Sequence, residues 1–226
     1  MPARYGIPLD RDFRALCEEA LAPGSVVLDV GSGRDPVFAH DELPEGCRYV
    51  GLDISAEELE NAPDGAYDEV HVADAAIRQD SLIGRFDLII SWQVFEHIGD
   101  VDQAVENLRL YLKEGGQLIA FLSGKYSAFG VANQILPERV GHEVAHRILK
   151  IPSHDVFPAR YRRCYASALQ RLFSPWRSVE IRSMYRGAVY FRFFNPLLRA
   201  YVAYENWAGR KGRDNLATHY LIRAVR

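Results

Sequence analysis

The 226-residue chain is predicted to fold as an α/β protein, with a doubly wound and mostly parallel sheet of seven strands. Two observations lead to this prediction. Short apolar runs rich in β-branched residues alternate with stretches in which apolar residues recur at helical spacing. The first of these runs is followed directly by glycines, which indicates a buried strand that ends in a turn. Because strands separated by helices pair in parallel, we expect helices on both faces of the sheet.

Seven stretches have the length and apolar character of strands. In order, they are Ser25–Val30, Tyr49–Ile54, Glu69–Ala73, Phe86–Ser91, Gln117–Leu122, Arg177–Met184 and His219–Val225. Apolar residues at helical spacing predict helices over Phe13–Leu21 and Val101–Leu112. Asp100 and Gln103 resemble a capping box at the start of the second helix, and Gly115-Gly116 is predicted to end it.

The alternation of strands and helices stops after residue 123. Residues 124–174 are predicted to be helical and loop-like, which indicates a helical cap inserted after the fifth strand. An aromatic-rich segment, Tyr190–Trp207, separates the two late strands. Ligands of such sheets bind at the carboxyl ends of the strands, near the point where the strand order reverses.

Composition places the chain among ordinary globular proteins. Apolar residues are 48% and charged residues 25% of the chain, which excludes a wholly disordered protein. No run approaches the ~20 apolar residues that a membrane span requires. The first residues also lack the apolar core of a signal peptide, so we expect a cytoplasmic location. Cys17, Cys47 and Cys164 are too widely spaced to indicate a disulfide framework or a zinc site.

Charge is distributed unevenly along the chain. Residues 1–130 carry 10 Lys and Arg against 24 Asp and Glu, whereas residues 131–226 carry 17 against 6. A basic half of this kind can meet a phosphate, a carboxylate, nucleic acid or an anionic membrane surface. The alternative is that the two halves attract each other within one domain.

The end of the first strand carries the strongest local pattern. Val27–Gly33 combines a strand, the carboxylate of Asp29 and a Gly-Ser-Gly turn whose backbone can approach a ligand closely. Asp53 ends the second strand, where a carboxylate can accept both hydroxyls of a ribose. Pro36 stands where a dinucleotide fingerprint has its third glycine, so a different adenosine-bearing cofactor is favoured. A tight turn without a ligand is the alternative.

Four motifs occur in the order and spacing of class I S-adenosylmethionine-dependent methyltransferases. They are VLDVGSG (27–33), LDIS (52–55), VADA (72–75) and FDLIISWQVFEHI (86–98). The chain resembles the small-molecule group of this family that is often called type 11, and Gly115–Phe121 resembles its fifth-strand segment. The resemblance implies a Rossmann-like fold, S-adenosylmethionine as the cofactor and transfer of a methyl group to a small molecule.

The resemblance assigns the first loop to the methionine end of the cofactor. Gly31, Ser32 and Gly33 would face that end, and Asp29 would hydrogen-bond close to the loop. This cofactor has no phosphate, so its loop needs no nest of three glycines. Its sulfonium and amino charges suit an acidic N-terminal half. Arg34-Asp35-Pro36 is a departure, because many members carry a small residue after the second glycine.

The resemblance also assigns residues to the ribose and the adenine. Asp53 would hold the ribose hydroxyls, and Ile54 beside it belongs to the same cofactor-binding set. Asp74 would accept a hydrogen bond from the adenine amino group, while the backbone of Ala75 would meet the ring.

The end of the fourth strand is assigned to the sulfonium side of the cofactor. Ser91 and Trp92, taken to follow that strand, would flank the sulfonium. His97 follows Glu96 in a motif that many members share. His97 is either a group near the methyl donor or, as we favour, a residue at a helix start that fixes the loop.

These assignments divide a single expected domain, residues 1–226, into three parts. The cofactor-binding core spans about residues 10–125, and the cap on the acceptor side spans about 124–174. Residues 175–226 hold the late strands and the aromatic segment. That segment could pack in the core, line an acceptor pocket, join two subunits of a homodimer or lie on a membrane.

Histidines in the cap are the candidate catalytic residues. An acceptor hydroxyl must lose its proton, which His142, His146 or His154 could take, with Glu143 as an orienting partner. They favour O-methylation of a small polar or sugar-like metabolite. No obligatory metal is expected, because nothing in the sequence resembles the acidic, metal-chelating acceptor site of catechol-type members of the family. Asp155–Pro158 with Tyr161-Arg162 also resembles a subset of bacterial members, some thought to act on sugars or lipids.

His142–His146 also matches H-E-x-x-H, the helical zinc site of many metalloproteases. Arg147 follows the second histidine where such helices are usually apolar, and Leu149 and Pro152 replace the expected continuation. The motif also begins only after a complete methyltransferase core. A zinc hydrolase is therefore the less favoured hypothesis.

Three further alternatives stay open. Nitrogen or carbon could be the methylated atom, and the chain could bind the cofactor without turnover. Arg160, Arg162 and Arg163, with Tyr161 and Tyr165, could bind an anionic or sugar-like acceptor or form a solvated basic face. The pattern does not favour nucleic acid as a partner, because that would require a broader basic stripe with stacking aromatics.

Overall fold

The computed structural model describes residues 1–135 and 160–226, and the core of this part is one seven-stranded sheet. Its strands in chain order are β1 Val26–Val30, β2 Arg48–Asp53, β3 Glu69–Val72, β4 Phe86–Trp92, β5 Leu112–Ser123, β6 Ser178–Met184 and β7 His219–Val225. Their spatial order is β3-β2-β1-β4-β5-β7-β6. The first five strands pair in parallel, and β7 pairs antiparallel with both β5 and β6. The predicted fold class is confirmed.

Helices connect the strands and cover the sheet. Within the described ranges, the α-helices are α1 Arg11–Ala20, α2 Ala56–Glu60, α3 Val101–Tyr111, α4 Ala128–Ile135, α5 Ala166–Leu172 and α6 Asn195–Arg210. Two short 3-10 helices, Ala3–Gly6 and Gly187–Phe191, matter below. No α-helix of the described ranges is long and apolar enough to cross a membrane.

Most of the predicted strand bounds are off by at most one residue, and two of the differences matter here. Trp92 is the last residue of β4 instead of the residue after it. The fifth strand begins at Leu112 instead of Gln117, because the backbone becomes extended directly after α3, at Leu112. The pairing of β5 with β4 shifts register between Phe86 and Leu88, so the predicted Gly115-Gly116 stop lies inside an irregular part of the strand.

The predicted start of α3 is correct in part. Asp100 is the N-cap, and its side chain accepts a hydrogen bond from the amide of Gln103 at 3.1 Å. The reciprocal half of a capping box is absent here, because the Gln103 side chain donates to Asn107 Oδ1 at 3.0 Å instead.

The sheet has an apolar layer on each face, as a doubly wound fold requires. On one face α3 and α5 pack against the sheet, with Leu108 and Leu169 buried. On the other face α1 contributes Phe13, Leu16 and Cys17 to the second layer. Full burial of one such side chain stabilises the fold by about 1.5–3 kcal/mol. The three cysteines are buried free thiols.

The topology determines where a ligand can bind. Strand β1 pairs with β2 on one side and with β4 on the other, so the strand order reverses at β1. Loops that leave β1 and β4 at their carboxyl ends therefore diverge to opposite sides and open a crevice between them.

The expected cap region lies only partly within the described residues. Residues 124–135 and 160–174 contain α4 and α5 and no strand, which agrees with the expectation for those residues. His142, Glu143, His146 and His154 lie outside the described residues.

Candidate functional site

The loop after β1 requires glycine at two positions. Gly31 has φ +70°, and a Cβ there would overlap the methyl groups of Val94. Gly33 has φ +49°, and a Cβ there would lie 3.1 Å from Glu58 Cβ. Both glycines therefore adopt backbone conformations that other residues reach only with strain. The glycines therefore let the side chains of Val94 and Glu58 pack directly against the loop backbone.

Asp29 supports this loop from below. Its side chain is fully buried, and its Oδ2 accepts hydrogen bonds from the Val37 amide at 2.9 Å and from the Tyr49 hydroxyl. Burial raises the pKa of Asp29 to about 7, against the lowering effect of the hydrogen bonds from Tyr49 and Val37. The expectation that Asp29 bonds close to the loop agrees with this position.

Asp53 lies at the carboxyl end of β2 and stays partly exposed. Its Oδ1 accepts from the Ser55 amide at 2.9 Å, and the Ser55 side chain in turn caps α2 by accepting from the Glu58 amide. Burial and the nearby Glu58 carboxylate raise the pKa of Asp53, while backbone amides such as that of Ser55 lower it. The carboxylate is therefore held in place at the edge of the crevice.

Arg34, the departure from the family pattern, has a partner that sequence reasoning missed. Its guanidinium donates to both carboxylate oxygens of Glu58, at 2.6 and 2.7 Å. This bidentate pair fastens the glycine loop to the first turns of α2. No signal in the sequence indicated Glu58, because the pair joins two different connections.

The ends of β2 and β3 provide an apolar surface beside Asp53. Ile54 is 70% exposed and Ile77 is 61% exposed, although both are large apolar side chains. Asp74 Oδ1 accepts from the Ala76 amide at 2.8 Å, and the carbonyl of buried Ala75 accepts from an α3 side chain. Exposed isoleucines between ordered turns can cover the faces of an apolar ring.

The end of β4 differs from expectation at Ser91. Its side chain is fully buried, and its hydroxyl donates to the Val30 carbonyl at 3.3 Å. Ser91 therefore joins β4 to the last residue of β1, beneath the loop. Trp92 stacks on Phe121 of β5 with ring centroids 4.4 Å apart and also contacts Phe13 of α1.

Gln93 adopts φ +56°, which is uncommon for a residue other than glycine. Its amide donates to the Phe121 carbonyl at 2.7 Å. This turn brings Val94 onto Gly31 and so defines one wall of the crevice. Strained backbone of this kind is frequent at functional sites.

The aromatic row continues from β5 to a histidine that sequence reasoning did not single out. His219 begins β7 and stacks on Phe121 at 5.2 Å between centroids. Burial, together with the charge of Arg186, lowers the pKa of His219 to about 3, so the ring is neutral. The sequence showed only a histidine at the start of a late strand.

Glu96 is also buried at this edge of the sheet. Its Oε1 accepts from the Ser123 amide at 3.0 Å, and its carbonyl accepts from the amides of Arg160 and Tyr161. Burial raises the pKa of Glu96. Its neighbour His97 lies in a turn and is half-buried, and the His97 amide donates to the Val94 carbonyl. Glu96 therefore joins the end of β4 to β5 and to the chain after residue 159.

Three buried polar atoms lack a hydrogen-bond partner in the described part of the chain. They are Asp29 Oδ1, Glu96 Oε2 and His219 Nδ1. All three belong to residues at or next to the carboxyl ends of the parallel strands. Because native proteins satisfy most buried polar groups, such atoms mark this edge as a functional site.

The site fits an adenosine-bearing cofactor with a positive charge. Asp53 offers a carboxylate for hydroxyl groups directly beside Gly33, and two exposed isoleucines offer apolar contact. No phosphate-binding nest of three glycines is needed, and Asp29 lies beneath the loop.

A family model described as "Methyltransferase domain" matches residues 5–174, which is more than half of the chain. The chain belongs to the class I S-adenosylmethionine-dependent methyltransferases. The matched range contains the glycine loop, Asp53, the end of β4 and Glu96, so the methyltransferase pattern and the site coincide.

Relatives of this methyltransferase differ in the atom that their names specify. The ubiquinone biosynthesis O-methyltransferase of Chelativorans sp. (strain BNC1) is 29% identical over 157 residues, or 64% of this chain and 58% of that protein. The phosphoethanolamine N-methyltransferase 2 of Haemonchus contortus, solved with S-adenosyl-L-methionine, aligns with TM-score 0.58 at 16% identity. That alignment covers 96% of this chain and 52% of the Haemonchus chain.

Two other solved structures show how widely the fold is used. The geranyl diphosphate C-methyltransferase of Streptomyces coelicolor A3(2) aligns with TM-score 0.57 at 14% identity, over 96% of this chain and 79% of that one. The [4+2]-cyclase SpnF aligns with TM-score 0.60 at 19% identity, over 96% of this chain and 80% of that one. At these identities the similarity establishes the fold alone.

The predicted catalytic histidines cannot be placed relative to this site, because all three lie outside the described residues. The H-E-x-x-H segment lies outside them as well. In the described ranges, no three His, Cys, Asp or Glu side chains are grouped to hold a metal ion.

Proposed function

We propose that the chain binds S-adenosylmethionine in the crevice between the ends of β1, β2 and β4 and methylates an oxygen atom of a small polar or sugar-like metabolite. The observation that supports this most strongly is the junction of the glycine loop, Asp53 and the two exposed isoleucines. We also propose a cytoplasmic location.

Each part of the cofactor has residues suited to hold it. Gly31, Ser32 and Gly33 would face the methionine end, and Asp53 would accept from the ribose hydroxyls. When bound, S-adenosylmethionine supplies an electrophilic methyl group on a positively charged sulfur. Trp92, fixed in the aromatic row, would help to position the acceptor and exclude water. Ser91 would support the glycine loop through the hydrogen bond of its hydroxyl to the Val30 carbonyl.

The adenine would lie between the ends of β2 and β3. Ile54 and Ile77 offer apolar contact there, and Asp74 offers a carboxylate for the amino group. The ordered turn at Ala75 would present its backbone to the ring edge.

A first test measures binding of S-adenosylhomocysteine to chelator-treated protein by calorimetry. Asp53→Asn removes the charge that would accept from the ribose hydroxyls, so affinity should fall about tenfold or more. Asp64→Asn, at an exposed position before β3, should bind as the wild type does. Equal affinity of the two variants, or no binding by folded wild type, contradicts the proposed site.

O-methylation requires a base for the acceptor proton, and we propose that His142, His146 or His154 supplies it. Replacing the correct histidine by alanine should lower turnover by about a hundredfold or more while leaving S-adenosylhomocysteine affinity unchanged. Turnover is measured as methyl transfer to acceptors from a small-molecule extract, with His40→Ala as the surface control. Full turnover in all three variants would refute the histidine base.

A further inference from the structure

The helix α6 and the turn before it carry an exposed aromatic surface. Phe193 is 62% exposed, Phe194 54%, Trp207 43% and Leu197 39%. We call these four residues the α6 surface. Large apolar side chains scattered singly on a protein surface need no explanation, but a group of them on one helix indicates a binding surface.

This exposure is a property of a well-anchored helix. The opposite side of α6 is buried through Ala208 and Glu205, and Glu205 accepts from the Tyr5 hydroxyl and from the Gly187 amide. The Tyr201 hydroxyl also accepts from the Ala128 amide of α4 at 3.0 Å. The helix therefore has a defined inner side, and Trp207 lies on its exposed part.

Apolar and aromatic residues of α6 recur at helical spacing. Leu197, Ala200, Tyr204 and Trp207 recur every three or four residues, which places them on one side of an α-helix. The rings of Tyr204 and Trp207 stack with centroids 6.0 Å apart. A partly exposed stripe with two aromatic rings therefore runs along one flank of α6.

Exposed Lys and Arg side chains lie beside this stripe and form no ion pair with the described residues. The exposed cations of residues 187–213 are Arg192, Arg199, Arg210, Lys211 and Arg213. None of them forms an ion pair with a carboxylate of the described residues. Glu205 is the only acid of this stretch, and it is buried on the inner side. The outer side of α6 is thus both apolar and strongly positive.

We propose that the α6 surface docks on an anionic phospholipid bilayer, with α6 lying in the plane of the interface. Aromatic side chains enter the boundary between headgroups and acyl chains, while arginines beside them meet lipid phosphates. A second copy of the chain fits this surface less well, because a symmetric dimer would bring the same cations together.

The position of α6 gives the docking a consequence for the site. The helix connects the end of β6 to the start of β7, where His219 lies at the same edge of the sheet as Trp92. Docking through α6 would therefore bring the crevice edge of the sheet near the bilayer surface. The docking itself does not depend on the proposed methyl transfer.

The experiment is sedimentation of the full chain with lipid vesicles. Wild type should pellet with vesicles of phosphatidylcholine mixed with phosphatidylglycerol and stay in solution with pure phosphatidylcholine. Arg199→Glu/Arg210→Glu and Phe194→Ser/Trp207→Ser should each weaken binding about tenfold or more. Arg171→Glu and Val179→Ser, at exposed positions on α5 and β6, are the matched controls and should pellet as wild type does.

Several outcomes would overturn the proposal. The proposal fails if the wild type stays in solution with the anionic vesicles, or if the α6 variants pellet as the wild type does. It also fails if the protein is a dimer that Phe194→Ser/Trp207→Ser dissociates, or if it binds single-stranded RNA more tightly than vesicles. Binding of S-adenosylhomocysteine by every variant, measured by calorimetry, separates a failure of docking from misfolding. Vesicle binding without cofactor binding would refute the proposed function and leave the docking intact.

Discussion

At the scale of single residues, the buried ionisable groups under the crevice determine how the protein responds to pH. Asp29, Glu96 and His219 each keep one polar atom without a partner in the described chain. Burial raises the pKa of the two carboxyls and lowers the pKa of the histidine, so all three favour their neutral forms.

Asp29 leads to a prediction about stability. Its pKa rises from an ordinary 3.8 to about 7 on folding, so the folded chain binds a proton more tightly than the unfolded chain does. The contribution of Asp29 is therefore greatest at low pH and is lost as pH rises from about 4 to about 7. Asp29→Asn cannot titrate, so the wild type should lose stability relative to this variant across that range, by about 4 kcal/mol.

Urea unfolding of both proteins at a series of pH values measures this difference. Asp64→Asn, the same substitution at an exposed position, serves as the control. A constant difference between wild type and Asp29→Asn would show that Asp29 titrates normally in the fold.

At the scale of elements, the N-terminal segment is held by the connection between β6 and α6. The Arg186 guanidinium donates to the carbonyls of Ile7 and Pro8, the latter at 3.1 Å. Arg4 Nε donates to the Tyr185 carbonyl at 2.7 Å. The segment leads into α1, whose Phe13 contacts Trp92, so these bonds help to position the aromatic row.

Arg186→Met should loosen this segment because it removes the donors to two carbonyls. Each such bond from a charged donor contributes about 1.5–3 kcal/mol, so local opening should increase about tenfold or more. Limited trypsin digestion with mass spectrometry should then show faster cleavage after Arg4 and Arg11. Arg182→Met, whose side chain is exposed and paired on the surface, is the matched control. Cleavage at the control rate would mean that Arg186 does not hold the segment.

At the scale of the whole molecule, the cations of the basic half, residues 131–226, fall into two groups: some pair with acids of residues 1–130, and others lie around α6, unpaired within the part of the chain that the structure describes. Arg163 pairs with Asp102 at 3.0 Å, and Arg223 pairs with Glu19 at 2.9 Å, so some cations of the basic half meet acids of the other half. Surface pairs of this kind each contribute about 0–1 kcal/mol. The cations around α6 have no such partner in the described chain, and they remain available to an external anion.

Local pattern was enough to predict most of the fold. Six of the seven strands lie within two residues of their predicted bounds, because buried strands are continuous apolar runs bounded by turns. The exception is β5, whose irregular start depends on its pairing with β4. The glycine loop and Asp53 could be located because the loop directly follows β1 and Asp53 ends β2, and the roles proposed for them rest on the family resemblance.

The sequence by itself determined the α/β class, the strand order along the chain and the positions of Gly31, Asp29 and Asp53, because these depend on short-range periodicity and motif spacing. Only the tertiary structure decided that Arg34 pairs with Glu58 and that His219 stacks on Phe121, beside Trp92. It also decided that Phe193, Phe194 and Trp207 lie outside the core. Those contacts join residues far apart in the chain, and their partners are chosen by how the strands and helices pack, which no local pattern encodes.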